Sequence, residues 1–344
     1  MNRSSGYSTN IILMMFIHLL IDGISVSALY VIGVDMENFV LAVISYDILA
    51  FALQPLIGIL VDIKKIEKQL IIVGLILAIF VSYLDIPLLI VATFIGIANA
   101  MVHVGGFSVT YQSSNNKMGP LGLFVSTGSI GLGIGVLFPE SRLIFFVLSI
   151  FAVFLVMFFY KKIAYEEEDI SNKKYKYSVL PIILVLIVVL LRGFGGAISS
   201  PGYTTSQISR LTLYIALFIG KATGGLIADK IGITKTIIFG FVPSMIGFVF
   251  FPHIEIIYII SLALFNLTMA LTLFLAIRLI KPYASFAFGL TAALLLLGYI
   301  LALGFKEIVL VEPWMVGIVV LVSCVMIIIT NDRVKNNNIL GGNS

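Results

Sequence analysis

Twelve apolar stretches separated by short polar gaps occupy nearly the whole chain, at residues 11–33, 39–61, 69–85, 87–110, 119–138, 142–160, 179–198, 210–228, 236–252, 256–277, 285–304 and 313–330. Each is long enough, or nearly so, to cross a hydrocarbon layer of about 30 Å as a helix. A backbone in hydrocarbon must satisfy its own hydrogen bonds, and no ten-residue alternation of a membrane barrel occurs, so every stretch is read as a helix. The third and ninth are short and are expected to lie within the bundle or to end in snorkelling Lys and Tyr side chains. The pattern predicts an all-α integral membrane protein of 12 transmembrane helices in two six-helix bundles.

The one long polar interruption, residues 161–178, divides the chain into an N-terminal bundle at 1–160 and a C-terminal bundle at 179–344. Its run Glu166, Glu167, Glu168, Asp169 followed by Lys173, Lys174 and Lys176 reads as a solvated cytoplasmic tether.

Composition agrees with the pattern. Of 344 residues, 60% are hydrophobic and 11% charged, where a soluble domain has about 25% charged residues. Cations set the orientation: with the N-terminus inside, every loop Lys and Arg except Arg142, Arg210 and Lys306 falls on the cytoplasmic side. The expectation is a multi-pass protein of the cytoplasmic (inner) membrane with both termini cytoplasmic. The net charge of +4 is spread over loops rather than gathered on one face, so it reports topology and no nucleic-acid partner.

Arg3 and the small residues Ser25, Val26 and Ser27 give the first span the look of a cleavable signal, but Asp22 within it and its continuation to Gly33 argue for retention. The lone Cys324 permits no intramolecular disulfide. No Gly-x-x-x-x-Gly-Lys-Ser/Thr run offers a nucleotide site, and no nucleophile with its base stands out, so neither an ATP-driven pump nor an enzyme is expected. The predicted function is secondary active transport of a small molecule by a monomer without cofactor, driven by a proton or other ion gradient.

A repeat crosses the division. Gly58-Ile-Leu-Val-Asp62 closes the second span and Gly225-Leu-Ile-Ala-Asp229 closes the eighth. With Lys230, Gly232 and Lys235 in register after the second copy, the chain resembles the major facilitator superfamily, whose Gly-x-Leu-Ala-Asp-Arg-x-Gly-Arg-Lys motif follows the second helix and recurs after the eighth. The first copy departs from it at Ile63 and Lys65. The resemblance implies two pseudo-symmetric bundles working by alternating access. It also implies a cytoplasmic latch, in which Asp62 meets the start of the eleventh helix near Ser285 and Asp229 meets the start of the fifth near Gly119 and Pro120.

Ionisable residues inside spans are costly and persist mainly where they face protein or water. They are His18 and Asp22, four apart on one face of the first helix, with Asp47 on the second, His103 on the fourth, Arg192 on the seventh and Lys221 on the eighth. In the superfamily the first, fourth, seventh and tenth helices line the cavity, and the tenth supplies Asn266, Thr268 and Thr272 here. Asp22 with His18 is expected to take the proton. Arg192 is the expected countercharge or anion anchor, able to pair with Asp22 across the cavity, while His103, Asn266 and Thr268 contact substrate.

Asp47 and Lys221 also suit structural ion pairs, and His103 beside Gly105 and Gly106 also suits a packing role. His18, Asp22 and His103 offer imidazole and carboxylate ligands that suit several divalent ions, but with no Cys or Glu nearby no metal site is expected. More weakly, His18-Leu-Leu-Ile-Asp22 and Gly96-Ile-Ala-Asn-Ala-Met-Val-His103 resemble the fosmidomycin-resistance branch, although Val102 and Val104 stand where that branch has Phe and Pro. Gly128, Gly131, Gly133 and Gly135 with Pro139 resemble a degenerate exporter motif. These favour proton-coupled export of a small organic molecule, with import or a non-transporting sensor as alternatives.

Overall fold

A computed structural model describes residues 3–160, 179–199 and 206–340, so the expected tether at 161–178 lies outside the described residues. Twelve helical spans follow in order: α1 (Arg3–Gly33), α2 (Phe39–Lys64), α3 (Glu67–Val81), α4 (Leu88–Ser113), α5 (Gly119–Leu137), α6 (Arg142–Phe159), α7 (Val179–Ile198), α8 (Gln207–Ile231), α9 (Ile233–Phe250), α10 (Glu255–Leu279), α11 (Ala284–Ile308) and α12 (Pro313–Leu340). Eleven are long and apolar enough to cross a membrane, and α3, at 15 residues, is the short exception. The protein is a multi-pass, all-helical membrane protein.

Hydropathy placed the spans but not their ends. α1 begins eight residues before its apolar stretch and α12 runs ten residues past its own, because a helix continues into water while a hydropathy window stops at the hydrocarbon edge. Successive spans alternate in direction. The loops bearing Lys64, Lys65, Lys117, Lys230, Arg278 and Lys281 therefore share one end of the bundle, here called the basic face.

Two spans are interrupted. In α2 a π turn at Ile48–Ala52 precedes Pro55, which has no N–H to offer the preceding turn; Gln54 Nε2 fills that role by donating to the Ala50 carbonyl at 2.7 Å. α10 breaks between Asn266 and Met269, at Leu267 and Thr268. Both breaks leave carbonyls to be satisfied from neighbouring side chains, and neither is signalled by hydropathy.

The main packing relations of the first bundle recur in the second: α1 on α5 as α7 on α11, α3 on α4 as α9 on α10, α2 on α4 as α8 on α10, and α3 on α6 as α9 on α12. Glycine makes the central crossings close. A Cβ on Gly131 would stand 2.0 Å from the Leu19 carbonyl of α1, and one on Gly298 would stand 2.1 Å from the Leu190 carbonyl of α7. The bundles meet along α2 with α11 and α5 with α8. At the basic end of the first bundle, Tyr160 donates to Glu67 Oε1 at 3.3 Å, and burial together with that carboxylate pushes the Tyr160 hydroxyl above its ordinary range.

Candidate functional site

The two halves are joined at the basic face by matching contacts. Asp62, at the end of α2, accepts the backbone N–H groups of Ser285 and Phe286 at 3.0 and 2.9 Å, at the start of α11. Asp229, near the end of α8, accepts those of Met118 and Gly119 at 2.9 and 2.8 Å, at the start of α5. Each carboxylate thus caps a helix whose first N–H groups have no intrahelical partner. Gly58 and Gly225 lie four residues before the carboxylates, where a Cβ would stand 2.4 Å from the Ser285 carbonyl and 2.3 Å from the Met118 carbonyl. The resemblance had pointed to Gly119 and Pro120 for the second contact; the geometry shifts it by one residue, because Pro120 has no N–H to give.

Asp62→Asn and Asp229→Asn each weaken a pair of charge-assisted bonds, contributing about 1.5–3 kcal/mol apiece, that join the two halves. Each is expected to slow solute flux in proteoliposomes about fivefold or more, with monodisperse yield unchanged; unaltered flux in both variants would remove the latch.

Above the latch the halves are closed by aromatic rings. Phe107 of α4 stacks on Phe288 of α11 with centroids 4.1 Å apart and planes 4° from parallel. Phe124 of α5 packs against both, and His18 lies over Phe124 at 4.6 Å. All three phenylalanines are buried. Nothing in the hydrophobic pattern distinguished them from ordinary core residues.

On these rings rests a compact polar centre. His18 Nε2 lies 3.4 Å from Asp22 Oδ2, as the four-residue spacing anticipated, and His103 Nε2 reaches Asp22 Oδ1 at 3.6 Å from α4. Asn99, one turn before His103, donates through Nδ2 to Asp22 Oδ1 at 2.9 Å and to the Tyr46 hydroxyl at 3.0 Å. The far nitrogens of both imidazoles are anchored to main chain: His18 Nδ1 lies 2.6 Å from the Phe124 carbonyl and His103 Nδ1 lies 3.0 Å from the Asn99 carbonyl. The two rings meet edge to face at 4.3 Å.

Gly128 of α5 keeps the space open. A Cβ there would come within 2.3 Å of Asp22 Oδ2 and 2.5 Å of His18 Nε2. Asp22 keeps 17% of its side-chain exposure, so the centre is reachable although helices enclose it. His18, Asp22 and His103 each direct a ligand-type atom into one volume less than 4.8 Å across, and are the one such group among the described residues. That spacing admits a divalent ion as well as a proton.

The second bundle supplies cations. Arg192 of α7 is buried, donates through Nη1 to the Phe265 carbonyl and to Thr268 Oγ1 at the break in α10, and lies with Cζ 5.0 Å from the Phe265 ring centroid. Its Nε has no hydrogen-bond partner among the described residues. Lys221 of α8 donates to Ser129 Oγ at 2.8 Å, beside Gly128, and stands within electrostatic reach of both Asp22 and Arg192.

The expected Asp22–Arg192 pair is therefore not made in this conformation. Asn266 donates to the Leu262 carbonyl of its own helix at 2.9 Å, while Thr268 is the acceptor for Arg192. Asp47, half-buried at the start of the π turn of α2, forms no ion pair with Lys221. Asn99, Tyr46 and Ser129 were not singled out from sequence, and Gly128 was noted only as one glycine of the fifth span's motif. Of these only Asn99 carried a signal, as a polar residue four positions before His103 on the same helical face.

No protein-family model and no curated protein matches the chain. Among solved structures it is similar to a variant of the E. coli fucose:proton symporter FucP, at 13% identity and a TM-score of 0.71, covering 95% of this chain and 98% of that one. It is also similar to FucP, a major facilitator superfamily transporter, in the outward conformation, at 14% identity and a TM-score of 0.70, covering 95% and 99%. With both bundles, the duplicated carboxylate caps and the alignment over nearly the full length of each chain, this protein has the major facilitator fold.

Proposed function

We propose that the chain is a monomeric secondary active transporter coupled to protons at Asp22, with His18 and His103 as its partners. The single observation that carries this is the convergence of acceptors. A carbonyl only accepts, so each imidazole carries its proton on Nδ1, and in the neutral ring the Nε2 lone pair then faces the Asp22 carboxylate. Two lone pairs and a carboxylate share one enclosed space with the Asn99 amide as donor, and an added proton relieves their repulsion. The fucose:proton symporter of the same fold supports the coupling ion.

The cation distribution over the loops supports a cytoplasmic basic face in the inner membrane, with both termini inside. Latched at that face, the protein is then open, or poised to open, toward the outside, where a proton enters. Rocking of the bundles breaks the caps on Asp62 and Asp229 and exposes the centre to the other side. A proton crossing about 100 mV contributes roughly 2.3 kcal/mol to the cycle.

The test is flux into proteoliposomes under an imposed pH gradient, with a chelator on both sides to remove divalent ions and a panel of phosphonates, amino acids and cationic drugs as solutes. At least one solute is expected to move uphill with protons and to stop when a protonophore collapses the gradient. Solute movement that ignores the protonophore would overturn the reading. Uptake by co-transport moves the solute in the direction of the protons, whereas export by exchange, suggested by the glycine-rich α5 and the weaker branch resemblance, moves it against them in the same vesicles.

A further inference from the structure

Beyond the proton centre and Asp47 of α2, the charged groups within the spans are Arg192 and Lys221, both in the second bundle and both positive. Arg192 is 4% exposed, and Nη1 is the only nitrogen of its guanidinium with a partner among the described residues; Nε is buried without one. No described carboxylate lies within 4 Å of it or of Lys221. A guanidinium needed only to satisfy the broken turn of α10 would do so through Nη1 alone. Its opposite edge, Nε with Nη2, is the pair that binds a carboxylate or a phosphonate through two parallel hydrogen bonds.

We infer that the substrate is a small organic anion whose acidic group takes the free edge of Arg192, with Lys221 as a second countercharge. This rests on the proton coupling proposed above and adds the sign of that coupling. The groups facing Asp22 are His18 on its own helix, His103 and Asn99 from α4, the Tyr46 hydroxyl from α2, Lys221 from α8, and no charged group from α5. Protonating this centre removes the negative charge that acts on Lys221, so an anion held by the two cations binds more tightly to the loaded protein. By reciprocity the anion then raises the affinity for the proton. Two ligands that help one another bind travel together, which makes the cycle co-transport rather than exchange.

Binding tests this without requiring flux. The full-length chain in lipid nanodiscs is titrated with lactate, benzoate and methanesulfonate, and with lactamide and benzamide as uncharged counterparts of the first two, at pH 6 and pH 8. Saturable binding of at least one anion is expected, tighter at pH 6 by about tenfold. Arg192→Met should weaken it by about 30-fold or more and Arg192→Lys by less, since a point charge lacks the paired donors.

Amides binding as well as anions, or anion affinity unchanged in Arg192→Met, would overturn the inference. Affinity that falls on acidification would overturn co-transport. Anion binding that depends on Arg192, in vesicles where no pH gradient drives flux, would uphold the anion site and sink proton coupling instead. A neutral or cationic solute driven by the gradient would do the reverse.

Discussion

Asp22→Asn is expected to reduce gradient-driven accumulation to background, a loss of about 50-fold or more, while the protein still folds and still exchanges substrate across the membrane. The two parts of this result have different origins. Asparagine keeps an oxygen for the Asn99 amide, which now donates at 2.9 Å to Asp22 Oδ1, and gains an NH2 group in place of Oδ2, facing the free Nε2 of His18. It is therefore close in shape and charge to a protonated aspartic acid that never releases its proton. A carrier in this state has no change in proton occupancy to couple to, so uphill movement stops. Counterflow needs only the bundles to rock, and that motion remains. Accumulation within threefold of the parent protein, measured with labelled substrate in proteoliposomes, would exclude Asp22 as the coupling group.

Gly131→Val is expected to have the larger effect on folding. The added Cβ would stand 2.0 Å from the Leu19 carbonyl and 3.1 Å from the Gly23 backbone nitrogen, so no rotamer change relieves the clash and α1 must move away from α5. Overpacking usually costs about 1–3 kcal/mol, and a clash with backbone lies at or above the upper end of that range. Monodisperse yield should fall at least about tenfold relative to Gly304→Ala, whose added Cβ meets nothing within 4 Å. Equal yields of the two variants would show that the α1–α5 crossing is looser than the structure has it. The same displacement would pull Asp22 away from Gly128, so any Gly131→Val protein that survives should also transport poorly.

The spans were legible because hydrocarbon imposes a length and an apolar composition, and those two requirements are written into every window of the sequence. The carboxylate contacts between the halves were legible because Gly and Asp recur at the same spacing in both, and Asp62 meets Ser285 as the resemblance to the superfamily implied. Helix ends were not, since Arg3 and Leu340 lie in helices that extend past the apolar stretch. Nor were the breaks at Ile48–Ala52 and at Leu267–Thr268, which depend on side chains such as Gln54 and Arg192 arriving from elsewhere on the helix or on another one.

In the centre, the His18–Asp22 contact follows from helical periodicity alone, and His103 joins it from a helix already expected to face the cavity. Asp22 and Arg192 look like natural partners in a list of charges. Geometry gives Asp22 to Asn99 and the histidines, and gives Arg192 to Phe265 and Thr268. Small residues such as Gly128 and Ser129 have no sequence signature that separates a cradle for a reactive group from ordinary close packing.

The matched crossings of Gly131 over Leu19 and Gly298 over Leu190 put the halves in register, so that Asp22 corresponds to Gly193 and Gly128 to Leu295. At that crossing the first half has a carboxylate on one helix and a glycine facing it. The second half reverses the arrangement, with Gly193 lying against Leu295. The two halves thus repeat their helix crossings while their interiors carry opposite charge, a carboxylate in the first and two cations in the second. A few inward side chains set that charge, and the close crossings that hold the helices together do not depend on it.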